Sequence, residues 1–383
     1  MRRRARGAKG GHVEFMTEER RTLHALLPGL DEALVEQPLE RLEARDSPAI
    51  ELFRGAGGPG LLVPSEHRGV GASALAAIRV QRAIGARSPS LAVATTMHHF
   101  SAATLVELWR QRGGLEWMLL QGVAERRLLL ASGFAEGTQG QGVYRPTMRG
   151  RRADGAVVLN GAKRPCSLAR SMDLLTASVV VEDELAIALV AAHLPGIEIV
   201  PFWSTPLLAG AESDAVILRD VAVEEELVLP IGGAEQAQLD ALQASGFVWF
   251  ELLITASYLG VASALVERLL ERRGGDVAAR VAAAGELESS MTALCGVAQR
   301  FDDGDDPFDL LSRTLLCRYA AQDAIGRATA LAVEHLGGMA FIGSADVGYL
   351  SGCARALAFH PPARRSAADA LEAALGGGPL QIV

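Results

Sequence analysis

Near the C-terminus, in ARALAFHPPARR (354–365), an apolar helix-like run reaches His360 and stops at Pro361-Pro362. Neither proline can donate a backbone N–H, and each disfavours helix in the residue before it. The chain therefore breaks where an imidazole stands, a group that titrates near neutral pH and suits acid or base work. Glu251 is a lone carboxylate at the head of the apolar run Leu252 to Val266, where it would complement a helix dipole. The glycines of EGTQGQG (136–142) free a set of backbone N–H groups to face a pyrophosphate. His98-His99 would point apart on a helix, which argues against a shared metal. FDDGDDPFD (301–309) lacks the spacing and closing glutamate of a calcium loop and reads as a solvated connection. Cys166, Cys295, Cys317 and Cys353 show no CxxC or metal-ligand spacing, so they read as neutral thiols in a reducing cytoplasm.

These groups are carried by a chain of 383 residues, 49% hydrophobic and 21% charged, long enough for several units around large cores. The net charge of −8 argues against general nucleic-acid binding. Residues 1–17 begin with the basic stretch MRRRARGAK and read as a disordered arm rather than a signal peptide. From 18 to 126, apolar residues recur at three- and four-residue steps, as in ALAAIRVQRAIG, and predict a helical domain. From 127 to 233 the pattern becomes β, with LLTASVVV, LAIALVAAHL and AVILRDVAV as strands and Asp154-Gly155 as a hairpin turn. From 234 to 360 the chain is again helical, rich in Ala and Leu, and predicts four helices; 361–383 reads as a tail. Small residues in ASYLGVASA fit close helix packing, within one chain or between two. The apolar run of 15 residues from Leu252 to Val266 is too short for a membrane span.

A helical block, a compact β unit and a four-helix bundle, in that order, resemble the acyl-CoA dehydrogenase family. Segments that carry the resemblance are VPSEHRGVGAS, EGTQGQG with DGAVVLNGAKRPCS after it, AVILRDVAV and AVEHLGGMAFIG. Together they span residues from about 20 to 360. The resemblance implies an α+β fold with a helical N-terminal domain, a middle antiparallel β-barrel and a C-terminal four-helix bundle. It also implies FAD as cofactor and a homodimer or homotetramer. Flavin contacts would fall at Phe134, Ala135, Gly140 and Gln141, at Pro165, and at Ser167, whose hydroxyl would lie near flavin N5. Arg272, Glu334, Gly337 and Gly338 would meet the FAD of a neighbouring subunit, and His99 would face the acyl pocket. Three positions depart from the family: Ala135 stands for a threonine, Gln141 for a serine and Pro165 for the tryptophan that packs on the flavin.

In that family a glutamate near the end of the last bundle helix takes the α-proton of an acyl thioester. Here its position is Pro361, which has no ionisable group. Some members carry the base near the start of the first bundle helix, and Glu251 lies within one residue of that place; His360 is the second candidate. The leading reading is a flavin-dependent dehydrogenase for an acyl thioester of CoA or a carrier protein, with a relocated base. A second is an oxygen-using relative, a flavin monooxygenase or N-hydroxylase, which needs a dry pocket and proton control rather than that base. A third is a degenerate, non-catalytic member of the fold.

Overall fold

The computed structural model describes residues 15–114, 116–137, 146–233, 241–272, 274–378 and 380. Among the described residues the N-terminal part holds seven α-helices: α1 (Thr17–Leu26), α2 (Leu30–Val35), α3 (Leu39–Glu43), α4 (Ala49–Gly55), α5 (Ala74–Arg87), α6 (Pro89–Arg112) and α7 (Glu116–Glu125). Local chemistry sets their ends. Ser73 and Ser88 cap α5 and α6 by accepting the backbone N–H groups of Ala76 and Leu91, and Pro89 takes a first-turn place where no N–H is needed.

Eight strands follow among the described residues: β1 (Leu130–Gly133), β2 (Arg149–Ala153), β3 (Ala156–Cys166), β4 (Leu174–Val181), β5 (Glu184–Ala191), β6 (Ile197–Val200), β7 (Asp214–Glu224) and β8 (Val228–Gly233). They run in the order β6-β7-β3-β2-β4-β5-β8, with β1 beside β4. Asp154 and Gly155 both take positive φ and turn β2 into β3, as their types predict. The expected antiparallel barrel is corrected in two respects. β1 and β2 each run parallel to β4, and the sheet path ends at β6 and β8 without closing. The join between the halves is narrow, because β2 meets β4 only at Arg149↔Val180 and Gly150↔Val181.

The C-terminal part is built on α8 (Ala241–Glu271), α9 (Val277–Asp302), α10 (Pro307–Gly343) and the nine-residue α11 (Ala345–Cys353). A 3-10 turn (Ala354–Phe359) leads from α11 into the proline pair. The stretch read as a tail holds a further helix, α12 (Arg364–Leu375), with Ala367 and Leu371 buried. Within α10, Gly337 takes φ 78° and ψ 167°, a conformation only glycine adopts readily, and this breaks the helix.

α8 is the core of the molecule. It is long and apolar enough to cross a membrane, yet 94% of its most apolar window is buried inside the fold, against α5, α6, α9 and α10. The small residues of ASYLGVASA serve this intrachain packing. A Cβ on Gly260 would stand 2.2 Å from the carbonyl oxygen of Arg82, and one on Gly85 would stand 2.2 Å from that of Ser257. α5 and α8 therefore cross backbone to backbone. Beside the crossing, the buried Arg82 guanidinium bonds Glu19 (2.6 Å), Glu288 (2.6 Å) and Ser263 (3.1 Å), which joins α1, α5, α8 and α9. The N-terminal helices and the bundle thus share one core.

Candidate active site

A cavity of about 630 Å³ opens where the ends of β1 and β3 meet α6, α8 and the segment that follows α11. Helical spacing selects its walls. Val93, Met97 and Phe100 lie along one face of α6, and Phe247, Phe250 and Tyr258 along one face of α8. Five rings form a continuous wall. Phe134 meets Phe100 with centroids 5.2 Å apart, Phe100 meets Phe250 at 6.0 Å, Phe250 meets His360 at 6.2 Å, and His360 meets Tyr258 at 5.4 Å.

The polar groups on this apolar wall are mostly neutral. Ser167 Oγ lies 3.0 Å from Ser213 Oγ, and Ser132 adds a third hydroxyl. Tyr258 Oη lies 2.9 Å from His360 Nε2. Burial raises the Tyr258 phenol far above the range in which it ionises, so it stays protonated. Its proton has one acceptor, Nε2, which leaves the proton of the neutral imidazole on Nδ1. Burial, aided by the Arg318 charge, holds the His360 imidazole down to about 3. His360 is therefore on the cavity wall, as the helix break suggested, but as a neutral ring whose accepting nitrogen is occupied.

Among the described residues Glu136 is the carboxylate on the wall, and its oxygens are committed. They accept from Lys163 Nζ (2.7 Å), from the Thr147 N–H (2.7 Å) and hydroxyl (2.5 Å), and from the Met148 N–H (3.1 Å). Burial alone would raise this carboxyl, but the bonds from Lys163 and Thr147 outweigh it and hold it down to about 2. Sequence reasoning missed this pair. The signal was a lysine on β3 (AVVLNGAKRPC) at an inward position of the alternating strand, two places after Gly161.

Glu251 is placed differently from its expected position. It is the eleventh residue of α8 rather than its first, so it does not cap the helix dipole, and it is absent from the cavity wall. Its carboxylate is fully buried and faces the fully buried Arg318 guanidinium, with Nε 3.3 Å from Oε2 and Nη1 3.4 Å from Oε1. Burial pushes the carboxyl up, and the facing Arg318 guanidinium pulls it back toward the ionised form. The expectation that His99 faces the pocket is also corrected. α6 turns Met97 and Phe100 to the cavity, and His99 packs edge-on against Phe53 (5.7 Å) instead. His98 is buried as well, between the Pro59 carbonyl and the Leu130 N–H.

The expected cofactor residues fall into two groups. Phe134, Ala135, Pro165 and Ser167 line the cavity together. Arg272, Glu334, Gly337 and Gly338 lie away from it, around the break in α10. There Arg272 Nη1 donates to the carbonyls of His335 (2.8 Å) and Leu336 (2.5 Å), which the break leaves open. Glu334 is exposed, and Arg327 pairs with Glu286 rather than with it. Gly140 and Gln141 lie outside the described residues. The first group fits a flavin: the volume falls within the ~300–1,000 Å³ of ligand pockets, the rings offer an apolar stack, and the serine hydroxyls can bond a heteroatom edge.

The helical block, mixed sheet and bundle around such a cavity define the class of flavoenzymes with the acyl-CoA dehydrogenase fold. KijD3, solved with FMN and a dTDP-linked amino-keto sugar, superposes with a TM-score of 0.81 at 19% identity, covering 98% of this chain and 97% of its own. TdsC from Paenibacillus, solved with FMN and indole, gives 0.80 at 18%, covering 95% and 99%. No family model matches the sequence. Isobutylamine N-hydroxylase from Streptomyces viridifaciens is 46% identical over 371 residues, 95% of this chain and 98% of that protein. Dibenzothiophene monooxygenase from Rhodococcus erythropolis is 30% identical over 258 residues, 64% of this chain and 61% of its own. The chain belongs to the family of isobutylamine N-hydroxylase, within the acyl-CoA dehydrogenase-like flavoenzymes, and is a flavin-dependent oxidoreductase. These relatives favour the oxygen-using reading over the thioester dehydrogenase.

Proposed function

We propose that the protein is a flavin-dependent N-hydroxylase of a small primary amine, with reduced FMN and molecular oxygen as co-reactants. The observation that carries the reading is a cavity on which, among the described residues, no carboxylate is open to an α-proton. Pro361 stands at the usual base position on the wall, Glu251 is behind the wall facing Arg318, and Glu136 is held by Lys163. Among the described residues, dehydrogenation of a thioester would find no free carboxylate to accept its proton. N-oxygenation needs something else, an amine with a free lone pair. A dry, neutral wall disfavours the ammonium form and so delivers the amine as its free base. The balance is amine, oxygen, two electrons and two protons in, hydroxylamine and water out.

Reduced flavin supplies the two electrons that activate oxygen. Phe100, Phe134 and Phe250 exclude water from the reacting centre and hold the apolar part of the amine. Ser167 and Ser213 orient polar edges through their paired hydroxyls. Tyr258 fixes the tautomer of His360 and keeps a neutral N–H on its Nδ1. FMN rather than FAD is supported by the FMN held in KijD3 and TdsC and by the commitment of Arg272, an expected FAD contact, to the α10 carbonyls.

The test is turnover with a separate flavin reductase, FMN or FAD, isotopically labelled oxygen and two panels, short primary amines and acyl thioesters. The expected product is a labelled hydroxylamine with FMN. Bleaching of oxidised flavin by a thioester, with no hydroxylamine from any amine, would return the protein to the dehydrogenases.

A further inference from the structure

Arg318 lies in α10, fully buried, between LLC and YAA on a helix that otherwise alternates apolar and polar faces. Its guanidinium donates to three backbone carbonyls of one short segment. Nη2 reaches Leu357 (3.1 Å) and His360 (2.5 Å), and Nη1 reaches Pro362 (2.8 Å). The Tyr319 hydroxyl donates to the same Pro362 carbonyl (2.9 Å). This segment contains the prolines, which donate no N–H, so it cannot tie itself down by a helical or sheet ladder. Its carbonyls are instead gathered by one planar fork, a geometry that lysine could not reproduce. On the other side of the fork stands Glu251, also fully buried.

We propose that Arg318 is a positioning residue that fixes the segment 357–362 and so sets where His360 and Pro361 stand in the cavity wall, with Glu251 as its counter-charge. Glu251 then has a role that is neither helix capping nor proton abstraction. It compensates a buried cation whose donors serve the active-site segment. The catalytic consequence rests on the N-hydroxylase reading, whereas the ordering of the segment does not.

The experiment uses full-length protein and three substitutions, Arg318→Met, Arg318→Lys and Glu251→Gln. Hydrogen exchange of the peptide covering 354–364 reads the ordering directly. Product formed per oxygen consumed, with kcat and KM measured separately, reads the consequence for turnover. In Arg318→Met the loss of three charge-assisted bonds should raise exchange in this peptide at least about tenfold. kcat and coupling should fall while KM changes less, and Arg318→Lys should lie between wild type and Arg318→Met. Glu251→Gln should lower thermal stability yet keep exchange in the segment within about threefold of wild type, because all three carbonyl bonds survive. If Arg318→Met does not fold, the double substitution Arg318→Met with Glu251→Leu removes both charges and serves in its place. Wild-type exchange in a folded Arg318→Met protein overturns the positioning role. Loss of turnover in Glu251→Gln with wild-type exchange overturns the counter-charge role and restores Glu251 as a proton acceptor. If wild type makes no hydroxylamine, the exchange results still decide the role of Arg318.

Discussion

His98 is one of the buried imidazoles through which the stability of the protein depends on pH. The ring is buried inside α6, where Nδ1 accepts from the Leu130 N–H (3.0 Å) and Nε2 therefore donates to the Pro59 carbonyl (3.0 Å). It ties α6 to β1 and to the turn before α5. A proton on Nδ1 would face a donor, and burial already holds the group down to about 4. In the unfolded chain the value is about 6.5. The folded protein thus binds fewer protons between these values, and stability must rise with pH across that window. The contribution is complete above about pH 6.5 and is lost as pH falls toward 4. A displacement of about 2.5 units corresponds to roughly 3 kcal/mol, of which about 2 kcal/mol disappears between pH 6.5 and 4.5. His98→Gln removes the titration while keeping a donor and an acceptor. Urea unfolding of both proteins at the two pH values isolates the effect, since His99, His360 and the carboxylates titrate in both. Wild type should lose about 2 kcal/mol more than the variant over this interval. Equal losses, within about 0.5 kcal/mol, would mean that the pocket accepts the charged ring and that the reasoning is wrong.

Tyr258→Phe removes the donor to His360 Nε2, so stability should change by about 1 kcal/mol while hydrogen peroxide release per oxygen consumed rises several-fold; wild-type coupling would remove the pair from the chemistry. Gly260→Ala drives a Cβ to 2.2 Å from the Arg82 carbonyl oxygen and should cost a few kcal/mol, about 2–4, or prevent folding. Gly285→Ala, in α9 with nothing within 4 Å, should instead raise the melting temperature slightly, and thermal denaturation compares the two. Lys163→Met leaves Glu136 without its cation and should destabilise by about 3 kcal/mol. Adding Glu136→Gln should recover part of that loss in urea titrations, and no recovery would argue against a charge effect.

Elements set by local pattern were legible. LLTASVVV and LAIALVAAHL are the adjacent strands β4 and β5, buried along nearly their whole length, and Asp154-Gly155 turns β2 into β3. The start of α8 was misplaced by ten residues because ALQASGFVWF mixes Gly246 and Ser245 with rings, a weaker helical signal than the aliphatic run after Glu251. That error made Glu251 look like a cap. Orientation was the harder quantity. Whether Phe100 or His99 meets the cavity depends on how α6 is rotated against the sheet, and adjacent residues on a helix differ by about 100°. Arg318 gave no local sign of burial, because its partners lie 67 residues before it and 39 to 44 residues after it in the chain. The His360 break pointed to the right segment since proline chemistry is local, while the Tyr258 bond that sets its tautomer is not.

The burial of α8 also bears on how the chain is made. Its first cover, α5 and α6, leaves the ribosome before it, but the remaining face waits for α10. About 65 residues separate the end of α8 from the break in α10, so at ordinary synthesis rates that face stays bare for roughly 3 to 13 s. During this interval the nascent chain displays a segment with the length and hydropathy of a membrane span. Chaperones, the bilayer and the unfinished bundle then compete for the same surface. A chain stopped before Pro307 would be expected in the membrane or pellet fraction on cell fractionation, and recovery as a dispersed monomer would show that α5, α6 and α9 suffice. Loss of the last fifth of the gene product would then create a hazard to the cell as well as an inactive enzyme.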